Sequence, residues 1–229
     1  MTDPDRSLPG RTESLWIATA PAPDRPRATR DHRADVVVIG AGMVGVTTAL
    51  LLRRQGARVT VLEAGRVCGG VTGHTTAKLS SLHGLTYATL ARKHGDEKAH
   101  VYGEANEAGI ARTAALVEEL GIDCGLRRKP NLTYTEDASQ RSQIEQEVEV
   151  AARVGLPASL VEDTDLPFPI SAAVRFENQA DSHPRRYLLG LAEALVAEGG
   201  EVFERSPVES VDQGPPCRVR VRDGATVTA

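Results

Sequence analysis

Apolar residues run unbroken from Val36 to Ile39, the pattern of a strand buried on both faces of a parallel sheet. Gly40, Gly42 and Gly45 follow at GxGxxG spacing. A largely apolar stretch from Met43 to Gln55 then predicts a helix, closed by Gly56 in the left-handed conformation. Arg58 to Leu62, rich in β-branched residues, is a second strand and leads into Glu63. In this setting Gly40 makes the tight turn, Gly42 admits a pyrophosphate and Gly45 lets helix and strand pack closely. The helix start, with Met43 and Val44, offers free N–H groups and the positive end of the helix dipole. Glu63, about twenty residues beyond the first glycine, can accept hydrogen bonds from a ribose diol. The combination predicts a dinucleotide site. The competing readings are a glycine turn in some other βαβ unit and a membrane span over Val36 to Leu52. A span is disfavoured, because the stretch is at the short limit, carries the three glycines and ends in Arg53-Arg54.

Beyond Glu63 the sequence Ala64-Gly-Arg66-Val-Cys-Gly69-Gly70-Val-Thr72-Gly73-His74-Thr75-Thr76-Ala77-Lys78 is too rich in glycine and small hydroxyl residues for a helix or strand and predicts a loop. Leu85 to Leu120 reads as helical, interrupted at Gly95 and ended by Gly121. Asn131 to Thr135 is a short strand. Ala138 to Val154 is a helix with a solvated acidic face (Glu145, Glu147, Glu149) opposite an apolar one (Ile144, Val148, Ala151, Ala152). Leu156 to Val161 and Ala173 to Glu177 read as strands around a Leu166 to Pro169 loop. Pro184 opens a helix, capped by Ser182 or His183, that ends at Gly199-Gly200. Glu201 to Val211 then returns to the sheet as one strand, and Cys217 to Arg222 pairs with Thr226 to Ala229 across an Asp223-Gly224 turn. That last strand has little room to pair, so the chain reads as the N-terminal part of a longer protein. Met1 to Arg33 is a proline-rich, charged leader in which Trp16 docks on the body or serves as a partner anchor.

The 229 residues are 41% hydrophobic and 25% charged, ordinary for a globular protein. A net charge of −4 offers no basic field to nucleic acid or to an anionic membrane surface. Cys68, Cys124 and Cys217 are far apart and odd in number, which fits reduced thiols in a cytoplasmic protein. No histidine spacing marks a metal site, and Met1 to Arg33 lacks the apolar segment of a secretory signal.

The Glu63 acid followed by a Gly-Gly loop resembles the flavoproteins of the D-amino acid oxidase-like superfamily, which includes glycine oxidase, sarcosine oxidase and dimethylglycine dehydrogenase. The likeness is strongest over Asp35 to Ser81 and recognisable again at Asp181-Ser-His-Pro184-Arg-Arg-Tyr-Leu-Leu-Gly. It is similar above all to a bacterial branch often fused to a Rieske iron–sulfur domain, with Thr-Gly-His/Arg-Thr-Thr-Ala loops.

The resemblance implies an α/β fold. A Rossmann-like FAD-binding domain, a parallel sheet with helices on both faces, would span 34–80 and 184–229. An inserted α+β substrate-facing region would span 81–183, and the FAD domain would be incomplete at its C-terminus. It implies FAD held by Gly40, Gly42, Met43, Val44, Gly45, Glu63, Ala64, Arg66, Gly70, Thr72, Gly73, His74, Thr75, Thr76 and Val208. It implies oxidation of the C–N bond of an amine or amino acid, and a C-terminal Rieske domain as a partner in the full protein. In dimethylglycine and sarcosine dehydrogenases a Gly-Thr-Trp-His loop histidine is bonded covalently to the flavin; His74 matches it, but Gly73 replaces the Trp. Covalent attachment through His74 and a non-covalent contact both remain open. Tyr134 and Arg175 could clamp a substrate carboxylate or simply pack, and no catalytic acid, base or nucleophile is nominated. The alternatives are a non-catalytic dinucleotide-binding module and an NAD-dependent dehydrogenase, the latter disfavoured by the Gly69 to Ala77 loop.

Overall fold

The structure is a computed structural model that describes residues 12–222 and 224–229; Asp223 of the expected turn and the first part of the leader lie outside them. In chain order the elements are α1 (Leu15–Thr19), β1 (His32–Arg33), β2 (Val36–Ile39), α2 (Met43–Arg54) and β3 (Val59–Leu62). Then come β4 (Lys78–Leu79), α3 (Thr86–His94), α4 (Asp96–Leu120), β5 (Arg127–Thr135), α5 (Arg141–Arg153), β6 (Ala158–Val161) and β7 (Ala172–Asp181). The last are α6 (Pro184–Ala197), β8 (Glu201–Phe203), β9 (Val208–Asp212), β10 (Arg218–Val221) and β11 (Thr226–Thr228). The chain forms two units: one runs to Thr75 and resumes over Pro184–Ala229, and the other is Thr76–His183.

The first unit holds a parallel sheet in the order β2-β3-β8, with Val38 opposite Val61 and Leu62 opposite Phe203. The doubly buried strand is β3, all four of whose residues are buried, not the expected Val36 to Ile39. Among the described residues β2 pairs on one side only, so its side chains are half-buried and Ile39 is 55% exposed. The helix α2 packs on β3 and against α6. Gly56 (φ 94°) ends it by donating its N–H to Arg53 O at 2.9 Å. Arg53 in turn donates to Glu198 O just past the end of α6.

The expected strand from Glu201 to Val211 is two strands in two sheets. Between them the backbone turns to other partners: Glu204 N–H donates to Pro26 O, Arg205 to Gly65 O and Ser206 to Glu63 O. Pro207, with no N–H, completes the break. The second sheet has the order β1-β11-β10-β9. Its apolar side, with Val219, Val221 and Val227, packs with Ala28, Ala34 and Leu62. Far from being a half-paired hairpin arm, β11 lies between β1 (parallel) and β10 (antiparallel).

In the second unit β7 is the spine. It pairs antiparallel with β5 along one edge, and with β6 and β4 at different points of the other. Both β5 and β7 are longer than expected, and β5 carries an irregularity between Lys129 and Asn131, at Pro130. Phe176 stacks on Tyr87 (ring centroids 5.8 Å apart) among Ile144, Val150, Leu156 and Val174. The helical stretch 85–120 is two helices because Gly95 takes φ 86°.

The solvated acidic face expected on α5 is overturned at Glu147, which is fully buried; Ala152, assigned to the apolar face, is exposed. Residue 147 lies three after Ile144 and four before Ala151, on the core stripe of the helix. Its carboxylate is occupied there, accepting the N–H groups of Tyr87 (2.8 Å) and Ala88 (2.7 Å). It therefore caps α3, whose own first residues supply no side-chain cap. Burial raises the Glu147 pKa, and the N–H bonds draw it back. Glu147→Ala should destabilise the fold by about 2–4 kcal/mol, having stripped two buried N–H groups of their acceptor. Glu149→Ala, at a surface pair with Arg153, should cost under about 1 kcal/mol. Urea unfolding midpoints that fell equally for both would contradict the capping role.

Candidate functional site

The glycine fingerprint forms the turn between β2 and α2. Gly40 has φ 101°, a region L side chains avoid, and its N–H donates to Leu62 O at 2.8 Å. A Cβ on Gly45 would lie 2.0 Å from Gly40 O, so α2 rests on the turn with no room for a side chain. Gly42 is the N-cap of α2 and has no side chain of its own to cap that helix. The first helical bond runs from Val46 N–H to Gly42 O, leaving the N–H groups of Met43, Val44 and Gly45 at an open helix end. Met43 is half-buried and Val44 is 80% exposed. Among the described residues outside its own helix and chain neighbours, a Cβ on Gly42 would have only Thr72 Oγ1 within 4 Å, at 3.7 Å, and one on Gly70 would have none. The loop thus brings the Thr72 hydroxyl beside the open end of α2.

Glu63 is half-buried, and its carboxylate accepts Ala41 N–H and Gly65 N–H, each at 2.7 Å. One lone pair on each oxygen is used, so the group can accept two further hydrogen bonds. Ala64 is exposed. Arg66 pairs with Asp24 and with Glu204, Nε lying 3.0 Å from Glu204 Oε2. The loop contains one 3-10 turn, Val71–His74, and runs into β4, so it is less irregular than its composition predicts. Gly73 is buried there, and a Cβ on it would meet Cys68 O at 2.4 Å. His74 is exposed, with Nδ1 2.9 Å from Gly70 O. Thr75 O accepts the Trp16 indole N–H at 2.8 Å, and Thr76 opens the other unit. Val208 begins β9 opposite Val221, its side chain against the apolar cluster.

Two buried charges that sequence reasoning missed hold this loop. Glu204 accepts Val67 N–H at 2.9 Å, and its other oxygen pairs in charge with Arg66 without a directed hydrogen bond. Arg185 donates to Cys68 O (3.2 Å), Val67 O (3.4 Å) and Ala20 O (2.7 Å). Together they grip the backbone on either side of Cys68, a non-glycine residue at φ 60°. Burial pushes the Cys68 thiol pKa up, against the nearby Arg185 charge. A signal was present for both. Residue 204 continues the in-facing alternation of Val202 and Ser206, and 185 shares a helical stripe with Leu188, Ala192 and Leu195.

In the other unit Tyr134 stands opposite Ala173, and Leu132 opposite Arg175, so Tyr134 and Arg175 share one sheet face, away from Val174 and Phe176. Arg175 donates to Glu177 at 2.6 Å, and Tyr134 packs on Phe168.

The sequence model of the DAO family, described as FAD dependent oxidoreductase, matches residues 35–229. The chain belongs to this family. It is 33% identical over 202 residues to YhfW of Bacillus subtilis, described as a Rieske 2Fe-2S iron–sulfur protein, covering 88% of this chain and 40% of that protein. It is 26% identical over 196 residues to gamma-glutamylputrescine oxidoreductase of Escherichia coli, covering 83% and 46%. The solved structure of L-amino acid deaminase from Proteus myxofaciens shares the fold, with a TM-score of 0.72 at 19% identity over 92% of this chain and 47% of that one. The chain thus spans about half the length of the proteins it matches or less. No helix among the described residues is long and apolar enough to cross a membrane.

Gly45→Ala should cost about 1–3 kcal/mol or more, because the atom in the way is backbone and cannot rotate aside. Gly70→Ala, with open space around it, should change stability by less than about 0.5 kcal/mol. Thermal unfolding of the two variants checks the contrast.

Proposed function

We propose that this chain binds FAD at the β2–α2 turn and that the protein oxidises the C–N bond of an amine or amino acid. The observation that carries the reading is the uncapped end of α2 behind Gly40, Gly42 and Gly45, with Glu63 fixed beside it. The N–H groups of Met43, Val44 and Gly45 would donate to the pyrophosphate, and Thr72 would add a hydroxyl. Glu63 would accept the adenosine ribose hydroxyls with its free lone pairs. The loop of Gly70, Thr72, Gly73, His74 and Thr75 would lie along the flavin half. Arg66 would act through its backbone, its guanidinium being paired with Glu204 and Asp24. When bound, FAD supplies the two-electron acceptor that turns the amine into an imine, which water then hydrolyses. The chain's own share is to bind and orient the cofactor.

The substrate class draws support from the names of the deaminase and of the putrescine oxidoreductase. The name of the Bacillus relative supports a Rieske domain C-terminal to the present chain. Three free cysteines, two of them buried, suit a cytoplasmic location.

Glu63→Gln should weaken FAD binding about 10- to 100-fold, the equivalent of hydrogen bonds to a charged group. Titration followed by flavin fluorescence measures it, and unchanged affinity would remove Glu63 from the site. His74 we assign to a non-covalent contact, its ring being exposed and held through Nδ1 by Gly70 O. Acid precipitation of the full protein should therefore leave the flavin in the supernatant. Colour retained in the pellet, and lost in His74→Ala, would establish a covalent bond instead. Anaerobic bleaching of the flavin by amino acids or polyamine derivatives tests the reaction class.

A further inference from the structure

A loop with glycines at 69, 70 and 73 has many conformations open to it, and a ligand that had to order it would lose affinity accordingly. In this chain the loop is held from outside by the segment ahead of β1. Ser14 Oγ donates to Gly73 O, and the Trp16 indole N–H donates to Thr75 O at 2.8 Å. These two carbonyls flank His74. Ile17 lies against Gly73, its Cδ1 3.4 Å from where a Cβ would stand. The end of the segment is fixed by Arg185, which donates to Ala20 O and to Cys68 O on the other side of the same loop.

The segment contributes little as core. Its helix α1 has five residues, none of them fully buried, and Leu15 is 63% exposed. What it provides is directed bonding to one stretch of backbone. Farther along, the chain is anchored independently: Arg25 pairs with Glu193 at 3.1 Å, and Ala28 N–H donates to Ser206 Oγ at 2.9 Å. Loss of the loop contacts therefore need not release the whole leader.

We propose that Ser14 to Ala20 is a built-in clasp that preorganises the 70–75 loop for the flavin dinucleotide, with Ser14, Trp16 and Arg185 as positioning residues. This rests on the FAD reading above for its function, but not for its structure. The clasp is always present in the chain, so the ordering of the loop is completed at folding rather than at cofactor binding.

The test uses the full-length protein and two variants, Trp16→Phe, which keeps an aromatic ring but removes the donor, and Ser14→Ala/Trp16→Phe. Arg25→Ala, which breaks the distant anchor, is the control. Hydrogen exchange of the FAD-free protein should show the amides of Val67 to Thr75 opening about tenfold faster in the double variant. Amides in α2 and α6 should stay unchanged, and Arg25→Ala should leave the loop unaffected. FAD should leave the double variant about tenfold faster than the unaltered protein, by stopped-flow fluorescence. Unchanged loop exchange in both clasp variants would overturn the clasp. Faster loop exchange with unchanged FAD release would overturn its role in positioning the cofactor. Should the unaltered protein take up no FAD, the site reading fails on its own, and the exchange measurement still decides whether the clasp exists.

Discussion

Glu63 is where four pieces of backbone are joined. Its N–H donates to Phe203 O and its C=O accepts Ser206 N–H, which fixes the point where β8 leaves the parallel sheet. Its carboxylate takes Ala41 N–H from the glycine turn and Gly65 N–H from the start of the loop. Charge-assisted bonds to backbone N–H groups are among the stronger ones available to a side chain. The turn under α2, the exit of β3, the break after β8 and the direction of the loop therefore depend on a single residue. A carboxylate placed there keeps lone pairs to spare beside the residue that precedes Gly42. The residue that braces the turn is also the one equipped to accept a diol.

Beyond Gly65 the chain is held by buried charge as well as by packing, with Val67 and Cys68 themselves fully buried. Glu204 and Arg185 both bond the Val67-Cys68 segment, one accepting an N–H and the other donating to two carbonyls. Burying ionic groups costs several kcal/mol unless hydrogen bonds offset it, so they are a weak choice for stability alone. They suit a segment that must keep one conformation without regular structure, including a cysteine in the left-handed region. Apolar side chains could fill the same space, but they could not fix the orientation of a peptide plane.

The parts of the fold legible in the sequence were those written in glycine and in periodicity. The GxGxxG turn, the Gly56 and Gly121 helix ends and the strand–helix–strand order follow from local chemistry. Misreadings came where a charged residue occupies an inward position. Glu147 reads as a solvated residue until α3 is known to present its N–H groups to it. Glu204 looks like the middle of a strand until it, Arg205 and Ser206 are seen bonding to Pro26, Gly65 and Glu63. The apolar run at Val36 to Ile39 suggested a central strand, yet centrality belongs to β3, because apolarity reports what a strand can bury and not how many neighbours it has. Long-range partners decide all three cases, and no local pattern contains them. Within the candidate site, the glycine turn and the place of Glu63 were legible; the stripe of α6 marked Arg185 as inward, but its carbonyl partners, like the Trp16 contact, required the fold.

The departure at Gly73 shows the same dependence in the other direction. A tryptophan precedes the histidine in the dehydrogenase loops that this stretch resembles. Here any side chain at 73 would collide with Cys68 O, an atom fixed by Arg185 and by the φ of Cys68 itself. The glycine is thus imposed by the buried clamp and not merely permitted by it. With no side chain of its own to wedge the turn in place, residue 73 is steadied from outside. Ser14 bonds its carbonyl and Ile17 lies against the place a Cβ would take, so the space and the bonding that a bulky loop residue would supply come from the leader.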